Sequence, residues 1–280
     1  MCEHHPECPM HHRLSTRRAF GYVVIAGLAW GTGGPTGALL SQYAGLSPLA
    51  ISFWRLAAAA LWLALFVPAS SRVLVAASPL RYVFSGAGLA VCQLGYFLAI
   101  PRVGVGVATV IALGAAPILI TVATRERVTF ATCAAVGGLV LLTASGSGSA
   151  NLLGIAAAVA SAAGYSLTTL LNRNTPDPIT TAFVGFVVGA VILLPFAALP
   201  TTAVGWLLIA YFGLVPTALA YTLFYSGLRT LTASTASVIA LLEPVVAAAI
   251  GVFAFGEHLT PMALAGGVIV LLAVAARARS

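Results

Sequence analysis

The run Ala233-Ser-Thr-Ala-Ser-Val-Ile-Ala-Leu-Leu-Glu-Pro-Val-Val-Ala-Ala-Ala-Ile-Gly-Val-Phe-Ala-Phe255 carries one ionisable side chain, Glu243, in an otherwise apolar or small-polar stretch. A helix rises about 1.5 Å per residue, so roughly 20 such residues cross a hydrocarbon core of about 30 Å. The run is continuously apolar, not alternating, which favours a helix over a barrel strand. Outward from it, similar runs recur at 19–40, 48–68, 81–100, 103–123, 128–146, 152–172, 179–199, 205–226 and 260–276. Short segments rich in Pro, Gly, Ser or a lone Arg separate them. The expectation is an all-α integral membrane protein with ten transmembrane helices.

Composition points the same way. Of 280 residues, 60% are hydrophobic and 7% charged, and the mean hydropathy is +1.05. A soluble domain carries about 25% charged residues, because water-facing surface needs them. The net charge of +7 comes from 13 arginines, with no lysine, against six acids. These arginines lie singly between apolar runs and form no basic face, so nucleic acid is not an expected partner. Cys2 and Cys8 fall in the N-terminal tail, and Cys92 and Cys133 inside apolar runs as small hydrophobes, so no disulfide framework is expected.

Arginine placement sets the orientation. With the N-terminus inside, the inner segments hold Arg13, Arg17, Arg18, Arg72, Arg81, Arg125, Arg127, Arg173, Arg229, Arg277 and Arg279, and the outer ones only Arg102. That bias is the positive-inside pattern. It predicts a multi-pass protein of the cell (plasma) membrane with both termini cytoplasmic.

The halves repeat. Ala108-Thr-Val-Ile-Ala-Leu113 followed by Pro117 resembles Ala236-Ser-Val-Ile-Ala-Leu241 followed by Pro244. Glu126-Arg-Val-Thr129 resembles Glu257-His-Leu-Thr260, and the Gly137-Gly138 segment resembles the Gly266-Gly267 segment. Each copy holds an odd number of spans, five, so the second must enter the membrane from the opposite side. Three parts follow: a cytoplasmic His/Cys-rich tail over 1–18, expected to lack fixed structure, a first five-helix repeat over 19–146, and an inverted second repeat over 152–279. Inverted repeats are typical of secondary transporters, with the site at the interface of the halves.

The stretch from Phe224 to Thr260, with Ala29-Trp30-Gly31 and Phe53-Trp54-Arg55-Leu56-Ala57, resembles the EamA-type drug/metabolite transporter superfamily. The resemblance covers essentially residues 19–276. It implies two five-helix bundles, a central cavity built mainly from spans 1–4 and 6–9, and export of small metabolites or drugs. In one respect the halves differ: the fourth span is about one turn short past Pro117, compared with the ninth past Pro244.

Several side chains qualify for a solute site. Glu243 lies about 15 Å into its span, near the midplane. A carboxylate there costs several kcal/mol unless it is protonated, paired or facing a wet cavity. It is either a proton-coupling or cation-recognising group, or a structural carboxyl bonded to backbone freed near Pro244. Arg55 lies about 10 Å into the second span. It can snorkel outward, bind an anionic group, or pair with Glu243. Trp30, Gln93, Tyr96, Tyr165, Tyr221 and Tyr225 offer rings or polar tips for lining a cavity. Pro117 and Pro244 remove backbone hydrogen bonds at matching positions, and Gly33 and Gly34 mark a point where the first helix can bend. Paired interruptions point to a midplane site.

Other classes fit less well. Metalloprotease, nucleophile-elbow and phosphate-loop motifs are missing, so no enzyme, ATP coupling or cofactor is expected. A membrane-embedded enzyme on lipid-like substrates would need clustered carboxylates, and the chain has few acids. The tail, with Cys2, Cys8 and four histidines, offers ligands for Zn²⁺, Ni²⁺ or Cu⁺ and a metal-responsive sensor as an alternative. Its spacing matches no tight motif, and no metal is assigned. The expected partners are a small-molecule solute (amino acid-like, or a drug), the lipid bilayer, a coupling proton or ion, and a second copy through the glycine pairs 137–138 and 266–267.

Overall fold

The computed structural model describes residues 14–68, 71–143, 151–256 and 258–278. Residues 1–13, which hold the histidines and thiols of the tail, lie outside the described residues. Among the described residues the chain is helical throughout, with no strand. Seven segments are long and apolar enough to cross a membrane: α1 Thr16–Ala44, α3 Pro79–Val103, α4 Val105–Ala123, α6 Leu152–Asn172, α7 Pro178–Phe196, α8 Ala203–Gly227 and α9 Ala233–Phe255. Three apolar helices are shorter: α2 Pro48–Ala64, α5 Phe130–Thr143 and α10 Pro261–Arg277.

Helix starts follow local chemistry. The first N–H groups of a helix lack partners, and a low-dielectric surround makes that costly. Ser47, Asn151, Asp177, Thr202, Thr232 and Thr260 each accept a hydrogen bond from a backbone N–H of the first turn. Pro48, Pro178 and Pro261 stand just inside three of these starts, where a missing N–H costs nothing. Gly45 and Gly256 close α1 and α9 in the left-handed conformation, with φ of 65° and 68°.

The helices pack through small residues. α3 lies against α6, α2 against α7, α5 against α10, and α1 against α8 and α9. α6 also touches α4, and α3 touches α7 as α2 touches α8. At the α3–α6 contact a Cβ on Gly95 would stand 2.5 Å from the Ala157 carbonyl oxygen, and one on Gly164 2.5 Å from that of Gly88. Across α5 and α10, Gly138 and Gly266 approach backbone to backbone, while Gly137 meets nothing within 4 Å. One member of each glycine pair therefore serves packing inside the chain. The main core joins Trp30, Leu56, Leu89, Phe186, Tyr221, Phe224, Tyr225 and Ile239. On the outside, many large apolar side chains are exposed, Phe130 and Phe253 at 89% each, as suits a lipid-facing surface.

Three helices are irregular. α1 is interrupted at Thr32, α9 at Leu241, and α8 passes through a π-helical turn, Leu214–Leu219. By contrast α4 runs unbroken through Pro117. α9 continues to Phe255, more than a turn farther past Pro244 than α4 past Pro117, which ends at Ala123.

Candidate functional site

The three irregular points converge. Gly31, just before the break in α1, packs on Val246 and the Glu243 carbonyl of α9; Gly33, just after it, packs on Phe212 and Pro216 of α8. Irregular backbone at membrane depth is tolerated where protein buries it or where it lines a cavity.

Glu243 sits in the first turn of the second piece of α9, Leu242–Phe255. The residue is half-buried. Pro244, next to it, is buried.

Arg55 of α2 reaches α8. Its Nε donates to the Thr217 hydroxyl at 3.1 Å, and its guanidinium lies 5.2 Å from the centre of the Phe212 ring, a cation–π distance. Among the described residues no ion pair joins it to Glu243. The two charges act on each other through space.

Trp30, next to the break in α1, belongs to a cluster of aromatic rings. Trp30 stands 5.0 Å from both Tyr221 and Phe224 and 6.5 Å from Tyr165, centre to centre. Tyr221 meets Phe186 at 5.4 Å and Tyr225 at 5.8 Å. These are the edge-on and tilted geometries that aromatic pairs prefer. Trp30 Nε1 is buried without a protein partner. Tyr96 shares a 2.9 Å hydrogen bond with Thr109 and lies within reach of the Glu243 charge. Gln93 Oε1 accepts from Ser52 of α2 at 3.3 Å. Pro117 is buried in α4, and its carbonyl accepts from Thr121 at 2.7 Å. Gly33 is buried and Gly34 exposed.

Sequence reasoning passed over Thr217, Phe212, Pro216 and Cys92. Pro216 in mid-span was the available signal for an irregular turn. Cys92 is half-buried in α3, where Ser161 donates to its carbonyl at 2.8 Å, and the charges of Arg55 and Glu243 both reach it. An open groove of about 500 Å³ lined by Ala64, Val67, Pro68, Ser71, Arg72 and Phe183 includes none of these residues. It is a surface feature at the end of α2; the charged and aromatic group lies elsewhere.

Apolar helices that wrap a lone acid, an arginine and a ring cluster define a multi-pass membrane protein of transporter type. A protein of Bacillus subtilis described as the uncharacterized transporter YwfM is 34% identical over 273 residues, covering 90% of each chain. An uncharacterized transporter of Archaeoglobus fulgidus is 32% identical over 124 residues, 43% of this chain and 46% of its own. The model of the EamA-like transporter family matches residues 148–276. The chain belongs to the EamA-like transporter family. A solved crystal structure whose description names no function superposes with a TM-score of 0.72 at 22% identity, covering 94% of this chain and 99% of its own. At that identity the likeness speaks for the fold alone.

Proposed function

We propose that the chain is a secondary transporter of the plasma membrane that exports a small amino acid-like metabolite or a drug by alternating access. Its two inverted five-helix halves, 19–146 and 152–279, rock about a pocket bordered by Glu243, Arg55, Trp30, Gln93, Tyr96, Tyr165, Tyr221 and Tyr225. The packing supports the halves. Exchanging α1 with α6, α2 with α7, and so on turns the α3–α6 contact into α8–α1, α4–α6 into α9–α1, and α3–α7 into α8–α2. The α2–α7 and α5–α10 contacts map onto themselves. Arginine placement supports cytoplasmic termini.

The observation that carries the reading is the meeting of the broken α1, the π-helical turn of α8 and the broken α9 beside one carboxylate and one guanidinium. An acid and a base held apart suit a solute with both charges, and the rings suit its apolar part. Glu243 also serves as the site for a coupling proton. Counterflow in proteoliposomes against amino acids and cationic drugs tests this. Glu243→Gln and Arg55→Ala are each expected to lose about tenfold or more of the rate, as loss of a charged contact worth about 1.5–3 kcal/mol predicts. Wild-type rates in both variants would remove the site.

A further inference from the structure

We propose that Thr217 is a positioning residue that fixes the plane of the Arg55 guanidinium and so aims its terminal amino groups at the solute. The inference rests on the pocket just described. Pro216 has no N–H, so it cannot satisfy the Phe212 carbonyl one turn earlier. The Thr217 hydroxyl takes over that carbonyl at 2.7 Å, across the π-helical turn Leu214–Leu219. Its single proton is thereby committed to the backbone, and toward Arg55 it can only accept. The Arg55 Nε donates into that lone pair at 3.1 Å, while the ring of Phe212, whose carbonyl Thr217 holds, lies under the guanidinium at 5.2 Å. One residue thus ties the bulged backbone to the plane of the cation. Thr217 is wholly buried, so water does not compete for its hydroxyl.

Arg55 has five N–H donors, of which Nε is one. Among the described residues its terminal amino groups have no protein partner, and its charge reaches Tyr221, Cys92 and Glu243. With Nε tethered, those terminal groups form a fixed fork, the geometry that meets a carboxylate or phosphate two-pronged. Thr217 therefore governs the anionic end of the solute without touching it.

Cys92 supplies a readout that needs no known solute. In the full-length protein with Cys2, Cys8 and Cys133 changed to Ser, Cys92 is labelled with an anionic and a cationic methanethiosulfonate, the sulfonatoethyl and trimethylammonioethyl reagents. The ratio of the two rates reports the guanidinium field at the thiol. Thr217→Val is expected to lower the anionic-to-cationic ratio about threefold or more as the cation swings away. Thr217→Ser is expected to restore it, and Arg55→Gln to set the floor. Pro216→Ala is the second probe, since it gives Phe212 a backbone donor and releases the Thr217 hydroxyl. It is expected to lower the ratio in the same direction with less risk to folding. A parent-like ratio in Thr217→Val, or in Pro216→Ala should the valine variant not fold, overturns the proposal. So does a parent-like ratio in Arg55→Gln. Counterflow of L-phenylalanine and its methyl ester is measured on the same samples. A shifted thiol ratio with neither compound carried leaves the positioning role standing and brings down the amino acid-like reading of the solute instead.

Discussion

At the scale of single residues, depth in a span singled out Glu243 and Arg55 as groups to place, because few charged groups are found that deep without reason. The partner of Arg55 was not legible. Its hydrogen bond runs to a residue far along the chain, Thr217, and only the packing of α2 on α8 brings them together. Arg55→Lys separates charge from geometry. Lysine keeps the cation but has no planar fork and no Nε to meet Thr217. The expected outcome in counterflow is a KM raised about tenfold at nearly unchanged Vmax, a smaller loss than in Arg55→Ala. Tyr96→Phe removes the hydroxyl bonded to Thr109 at 2.9 Å. Thermal unfolding in detergent is expected to show a loss of about 1 kcal/mol.

At the scale of the helix, apolar run length was enough to set most boundaries to within a few residues. The runs expected at 152–172 and 233–255 are Leu152–Asn172 and Ala233–Phe255. Run length overshot α2, expected over 48–68 and ending at Ala64. The interruptions were less legible, because a proline's effect depends on who takes the carbonyl it frees. Pro117 sits inside a regular helix, Pro216 inside a π-helical turn, and Pro244 just past a break. Helix contacts are also where stability is easiest to test. Gly95→Val places a side chain against the fixed backbone of Ala157 and Ser161. It is expected to destabilise by about 1–3 kcal/mol or more, seen as a lower unfolding midpoint. Gly137→Ala meets open space, and its gain in helix propensity is expected to leave the midpoint unchanged or raised by up to about 1 kcal/mol. Equal losses at both positions would contradict the packing described.

At the scale of the whole molecule, the arginine bias and the repeated segments imply a sidedness that labelling can check. Cysteines placed at Thr201, between α7 and α8, and at Asn174, between α6 and α7, both lie at exposed positions. In intact cells a membrane-impermeant maleimide is expected to modify Thr201→Cys and spare Asn174→Cys. Labelling of both from outside would undo the inverted topology.

The α5–α10 contact carries a mechanical consequence. Gly138 and Gly266 bring two backbones so close that neither helix can roll on its axis without collision, whereas α1, α8 and α9 each hold a built-in flaw in their hydrogen-bond ladders. In the proposed cycle the pair serves as a keel: bending falls to the imperfect ribs, around a beam that stays straight.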